Sequence, residues 1–218
     1  MPDEPVYRIT LVRHGESTGN ACGRLQGHAD YPLSGRGRAQ VIALARRWKA
    51  EAVTFDHVIA SPLSRALETA RIIAAGLEIA NPEIDPRWIE RDAGERTGVS
   101  GDETRRLDRE TDGTDGTDAC GPMAESAESD EALYSRGELA LRSILERPPA
   151  RYLVSSHRAI LNMVVHAILG IDRPSGDTAR RTLFRLPNGS VSRFRYFPLD
   201  QRWQVDVIGD RSHWNGEA

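Results

Sequence analysis

The sequence predicts an α/β fold, a three-layer α/β/α sandwich around a mostly parallel mixed sheet, and three observations carry that expectation. Short apolar runs alternate with segments whose apolar residues recur at helical spacing, the pattern of strands joined by crossover helices. Two strand-to-helix joints place a polar or charged residue directly after the apolar run, at the edge where such sheets bind ligands. The last two strand-like runs follow one another without a helix between them, which adds an antiparallel pair.

The elements follow in order. Val6 to Arg13 is the first strand. Ser34 caps a helix from about Gly35 to Ala52, with Ala39, Val41, Ile42, Leu44, Ala45 and Trp48 on its apolar face and a first turn weakened by Gly35 and Gly37. Val58 to Ala60 is a short buried strand running into Ser61-Pro62, read as an N-cap with proline at the first helical position of a helix that continues to about Gly76. Pro82 to Trp88 reads as extended. Residues 101 to 130 carry the repeat from Thr111 to Asp118 and form the least ordered-looking stretch, so a flexible insertion or lid is expected at about 97–130. A helix from about Asp130 to Glu146 stops before Pro148-Pro149. Arg151 to Ser156 is a strand feeding a helix from Ala159 to Leu169. After Pro187-Asn188-Gly189, strands Ser190 to Phe197 and Arg202 to Ile208 close the fold.

At 218 residues, 39% hydrophobic and 28% charged, residues 1–218 fit one domain whose core needs no disulfide. A net charge of -3 argues against a nucleic-acid-binding protein, so any anion site must be local. Cys22 and Cys120 form neither metal-type nor redox-type spacing and read as reduced thiols of a cytoplasmic protein. The chain shows no apolar run of about eighteen residues and no leader pattern, so neither a membrane span nor export is expected.

The chemistry is expected where strands end. Arg13 and His14 follow the first strand, Arg65 lies one turn into the helix after the second, and His157 follows the strand from Arg151. In a parallel sheet these ends share one edge, so the groups can converge. Two arginines and two histidines around one point make a cage for a multiply charged oxyanion, because the guanidinium fork matches phosphate oxygens.

These residues sit in motifs that resemble the histidine phosphatase superfamily, the phosphoglycerate mutase-like fold, over nearly the whole chain. The motifs are Leu-Val-Arg-His-Gly-Glu-Ser-Thr-Gly-Asn from Leu11, Arg24 to Ser34, Ser-Pro-Leu-Ser-Arg-Ala from Ser61, Glu-Arg-Asp-Ala-Gly from Glu90, and Val-Ser-Ser-His from Val154. The resemblance implies that His14 is the nucleophile and becomes a phosphohistidine. It implies that Arg13, Arg65 and His157 bind phosphate oxygens, that Asn20 hydrogen-bonds the phosphate, and that Gln26 and Gly27 line the pocket. Glu90 matches the acid that protonates the leaving oxygen and then activates water. Arg158 stands where most relatives carry glycine, and it either recognises a second anionic group or points to solvent.

Each residue has a plainer competitor. Arg65 taken alone reads as a surface ion pair with Glu68 or Glu16. Glu90 competes with nearby Glu95. His28 either touches substrate or is simply exposed, and His57, His166 and His213 read as structural or surface residues. The Thr-Asp-Gly repeat lacks the pattern of a calcium loop.

The resemblance is to the phosphatase branch, given the loop Leu25 to Ser34 and the short chain. The expectation is a metal-independent phosphomonoesterase acting on a small phosphorylated metabolite, without cofactor and without nucleic-acid or membrane partners. A homodimer is left open. The alternatives are a cofactor-dependent phosphoglycerate mutase and a phospho-ligand-binding scaffold that has lost turnover.

Overall fold

The computed structural model describes residues 4–103, 126–174 and 182–214. Its strands are β1 (Tyr7–Arg13), β2 (His57–Ala60), β3 (Glu83–Ile84), β4 (Arg151–Ser156), β5 (Val191–Phe197) and β6 (Arg202–Asp210). Its helices are α1 (Thr18–Ala21), α2 (Gly35–Ala50), α3 (Ser64–Leu77), α4 (Asp130–Leu145) and α5 (Arg158–Ile168). The strands form one sheet in the order β3-β2-β4-β1-β5-β6. The first four run parallel, and β5 and β6 pair antiparallel. The expected mixed sheet is what the chain builds.

Alternation along the strands separates the two faces. Ile9 and Leu11 of β1, with Tyr152 and Val154 of β4, pack against Leu141 of α4 and Leu161 and Val165 of α5. Val12, Val58 and Leu153 point the other way, onto Val41, Leu44 and Trp48 of α2 and Ile73 of α3. Each such side chain, fully removed from water, contributes on the order of 1.5–3 kcal/mol.

Local chemistry sets the helix ends. The Ser34 hydroxyl accepts from the Gly37 N–H at 3.0 Å, and Arg47 and Lys49 in the last turn suit the carbonyl end of α2. The helix stops at Ala50 and not at Ala52, because Ala52 adopts a φ of 51°, outside helical space. The predicted cap of α3 is corrected: α3 starts at Ser64, whose N–H donates to Asp30 Oδ1 at 2.8 Å, while the Ser61 hydroxyl faces His157. The extended reading of Pro82 to Trp88 is corrected as well. Only Glu83–Ile84 is strand. Asp85 then accepts from Arg87 N at 3.0 Å, and with Pro86 starts a 3₁₀ turn that buries Trp88.

The repeat from Thr111 to Asp118, Cys120 and most of the expected insertion lie outside the described residues. Its described flanks are tied down: Gly98 N donates to Leu25 O and Gly101 N to Gly23 O, both at 2.7 Å, and Glu128 N donates to Asp92 O at 3.0 Å. Cys22 is a free, exposed thiol. Among the described residues no helix is long and apolar enough to cross a membrane.

Candidate active site

The register of the sheet brings the two histidines together. Arg13 pairs with Ser156 in the parallel β1–β4 ladder, so the next residues, His14 and His157, leave neighbouring strands side by side with ring centroids 5.1 Å apart. Ser61 follows β2 in the same layer, its N–H donating to Ser155 O at 3.1 Å. The sheet edge is thereby a row of three polar side chains.

Both imidazoles have a defined tautomer. His14 Nδ1 lies 2.7 Å from Gly15 O, and a carbonyl only accepts, so Nδ1 carries the proton and Nε2 keeps its lone pair. Arg65 Nε donates to His157 Nδ1 at 3.3 Å, which assigns the His157 proton to Nε2, donating to Ser61 Oγ at 2.7 Å. Burial pushes His14 well below the usual imidazole range, with Arg13 and Arg65 adding to the effect against the Gly15 carbonyl. Burial does the same to His157, aided by Arg65, His14, Arg13 and Arg136. At neutral pH both rings are uncharged.

Of the two arginines, Arg65 is buried and Arg13 is half-buried. Arg65 is 1% exposed, which excludes the surface ion pair: Glu68 pairs with Arg38, and Glu16 with Arg36. Its fork instead donates to Ala29 O at 2.7 Å and Gly27 O at 2.9 Å, so the loop around Gln26 and Gly27 is built on the guanidinium. Arg13 donates through Nη1 to Leu186 O at 2.7 Å. Its buried Nε has no partner among the described residues. Burial and Arg158 press Arg13 down to about 9, Glu90 opposes this and Arg65 adds to it, so it stays cationic at neutral pH.

A cavity of about 580 Å³ opens over these groups, lined by Arg13, His14, Asn20, Gln26, Gly27, Arg65, Glu90 and Arg158 among others. His157 is not among its lining residues. It stands behind, against His14 and Arg65. The Glu90 carboxylate accepts from Arg91 N at 2.8 Å and from Ala159 N, in the first turn of α5, at 3.2 Å. Glu95 is exposed and does not line the cavity. Asn20 Oδ1 accepts from Ser17 N, Ser17 Oγ and Asn188 Nδ2 at 3.0–3.1 Å. His28 binds Glu90 O through Nε2 at 2.8 Å and does not line the cavity.

The family model of the histidine phosphatase superfamily (branch 1) matches residues 9–211. The chain belongs to this superfamily. Its relatives include a protein of Enterobacter sp. named "Probable phosphoglycerate mutase GpmB", 37% identical over 98% of this chain and 97% of the relative. Among solved structures, Bacillus stearothermophilus YhfR superposes with a TM-score of 0.78 at 28% identity, over 95% of this chain and 98% of that one. A mycobacterial glucosyl-3-phosphoglycerate phosphatase superposes with a TM-score of 0.72 over 97% of this chain and 100% of that one. At 21% identity, that likeness shows the fold alone. The proteins to which this chain is similar thus carry both mutase and phosphatase names, the latter including a "putative alpha-ribazole-5'-P phosphatase" of Escherichia coli with a TM-score of 0.76 at 26% identity, over 94% of this chain and 98% of that one.

Several residues that build the site in this superfamily member carry no motif signal of their own. Thr69 accepts from Gly15 N at 3.1 Å and donates to Arg65 O at 2.7 Å, joining α3 to the His14 loop. Asn188 Nδ2 reaches His14 O at 3.2 Å and Asn20 Oδ1 at 3.0 Å. Arg136 of α4 donates to Arg87 O, Ile89 O and Glu90 O at 2.7–3.2 Å and pairs with Glu128 at 2.6 Å, which fixes the main chain that carries Glu90. Gly15 and Gly37 permit a close backbone approach: a Cβ on Gly37 would lie 1.9 Å from Glu16 O, and one on Gly15 would lie 2.5 Å from Gly37 O. The glycine that weakens the first turn of α2 is what lets α2 press on the His14 loop.

Proposed function

We propose that the protein is a metal-independent phosphomonoesterase that hydrolyses a small soluble phosphate ester through a phosphohistidine on His14, with Glu90 as general acid and base. One observation carries the reading: a neutral imidazole whose Nε2 meets no hydrogen-bond partner among the described residues, a half-buried carboxylate, the buried guanidinium of Arg65 and the half-buried Arg13 share one cavity. In the first step His14 Nε2 bonds to phosphorus, the bond from phosphorus to the ester oxygen breaks, and protonated Glu90 gives that oxygen its proton. In the second, the Glu90 carboxylate takes a proton from water as the water oxygen attacks phosphorus. Phosphate leaves and His14 is neutral again. Arg13 and Arg65 supply the positive charge that a bound metal supplies elsewhere, and the Arg13 Nε, without a partner among the described residues, is a ready donor to a phosphoryl oxygen. His157 acts through its neighbours, orienting Arg65 and excluding water behind His14.

The phosphatase branch is favoured by the loop from Arg24 to Ser34, seated on Arg65 through Gly27 O and Ala29 O. The 37% identity to a protein named as a phosphoglycerate mutase favours a mutase as second reading. The complete residue set argues against a scaffold without turnover. Phosphate release from an aryl phosphate in the presence of a chelator tests the proposal, with acid-quenched trapping of the phosphoenzyme. Expected are steady release, a short-lived acid-labile phosphoenzyme, and loss of both in His14→Ala. Isomerisation of phosphoglycerate with a long-lived phosphoenzyme would establish the mutase, and binding of phosphate without turnover would establish the scaffold.

A further inference from the structure

His28 stands outside the cavity, yet its ring ends on the residue that carries the proposed general acid. Nε2 lies 2.8 Å from Glu90 O, and a carbonyl only accepts, so Nε2 carries the proton. Nδ1 faces Asp92 Oδ2 at 3.9 Å. The Glu90 carbonyl also accepts from Arg136 Nη2 at 3.2 Å, so the loop histidine and the arginine of α4 share one oxygen.

That oxygen belongs to the peptide unit between Glu90 and Arg91, and the N–H of the same unit donates to Oε1 of the Glu90 side chain at 2.8 Å. A trans peptide is planar, with its carbonyl and its N–H pointing in opposite directions. Holding the oxygen therefore aims the N–H. Donors on the carbonyl also polarise the unit and strengthen the bond that its N–H makes. The other partner of the carboxylate, Ala159 N, is more distant at 3.2 Å, so Glu90 is aimed chiefly through its own peptide.

The histidine is itself held from the side of the arginines. Gly27 O and Ala29 O, the carbonyls on either side of it, accept from Arg65 Nη2 at 2.9 Å and Nη1 at 2.7 Å. Ala29 N donates to Gln26 O at 2.9 Å, which closes the turn. At Gly27, whose φ is 49°, the turn lies against the acid segment, and a Cβ there would come 2.9 Å from Ala93 Cβ. His28 is exposed, so its substitution removes a hydrogen bond and little packing.

We infer that His28 is a positioning residue for the general acid: from a turn seated on Arg65 it fixes the Glu90–Arg91 peptide, and through that peptide it aims the Glu90 carboxylate. The inference rests on the role proposed for Glu90, but the aim of the carboxylate is measurable without turnover.

Two variants test it. His28→Ala removes the donor, and His28→Gln carries an amide that reaches the same carbonyl. In His28→Ala, kcat for an alkyl phosphate is expected to fall about tenfold, while the burst with an aryl phosphate that has a good leaving group stays within about twofold. Affinity for inorganic phosphate, which answers to Arg13 and Arg65, is expected to stay within about twofold. His28→Gln is expected to recover most of the kcat. In NMR of the unliganded protein, the Arg91 amide proton reports its bond to the Glu90 carboxylate, because its chemical shift moves when acid protonates that group. This movement is expected to shrink by roughly half or more in His28→Ala and to return in His28→Gln. An Arg91 response unchanged in His28→Ala would overturn the inference. So would equal losses with both esters, a matching loss of phosphate affinity, or no recovery in His28→Gln. Absence of turnover with every ester in the wild type, alongside the expected NMR response, would overturn the phosphatase reading and leave the aim of Glu90 by His28 standing.

Discussion

The two buried neutral imidazoles make the protein's stability depend on pH in a window where most proteins are insensitive. His14 is 2% exposed and His157 is fully buried, and both are pushed well below their ordinary value near 6.5, chiefly by burial. In the unfolded chain both rings take up protons around pH 6.5. The unfolded state therefore binds more protons than the folded state below that pH, and stability falls as pH falls, levelling only once the folded rings themselves protonate. Between pH 7.5 and 5.5, a ring neutral in the fold and free to titrate when unfolded withdraws about 1.4 kcal/mol, and two withdraw about 2.7 kcal/mol. For a chain of this size that corresponds to a melting temperature lower by roughly 5–11 °C. Asp56, held down to about 2 by Arg151, titrates in a separate and more acidic window. His213, lowered mainly by burial, acts in the same sense as the active-site pair, so the decisive quantity is a difference between variants. Urea unfolding at the two pH values, in phosphate-free buffer because a bound anion would stabilise the fold, should show the loss in the wild type. In His14→Asn the loss should shrink by about 1.4 kcal/mol. An equal pH loss in both proteins would refute the reasoning, as would a wild-type stability that does not change across the interval.

Replacing Glu90 by Gln should slow hydrolysis of an alkyl phosphate by about 10²–10⁴, and that of an aryl phosphate with a good leaving group much less in the first step. Water activation is also lost, so the aryl ester should give a burst and an accumulating phosphoenzyme in rapid-quench experiments. Arg136→Ala removes the donors to three carbonyls at residues 87, 89 and 90 and the ion-pair partner of Glu128, so kcat should fall at least tenfold with a steeper dependence on leaving-group basicity. A fall that is uniform across leaving groups would assign Arg136 a purely structural part. Gly37→Ala places a methyl group 1.9 Å from the Glu16 carbonyl, where only backbone could yield, and should cost about 3 kcal/mol in urea unfolding. The kcat/KM of the wild type should hold at acidic pH well below 6.5 on its His14 limb, measured with a substrate whose own ionisation is corrected for.

The order of elements, the parallel sheet with its antiparallel edge, and the residues at the strand ends were legible in the chain itself. Hydrophobic periodicity reports which face of each element is buried, and motif spacing reports which polar residues follow a strand. Helix starts were less legible, because a cap can come from elsewhere: the N–H of Ser64 is met by Asp30, thirty-four residues away, and no local pattern announces that. The same holds for the supports of the site. Thr69, Asn188 and Arg136 act on residues 46 to 174 positions distant in the chain, so their roles exist only once the sheet has brought those segments together.

By itself the sequence determined that an arginine and a histidine would end the first strand and that a second histidine would end another, since these are properties of contiguous residues. Only the tertiary structure decided that the rings would stand 5.1 Å apart, each neutral, with the second one behind the cavity. Register and burial are collective: they depend on which strands become neighbours and on how much protein closes over them, and neither quantity is written in any single segment.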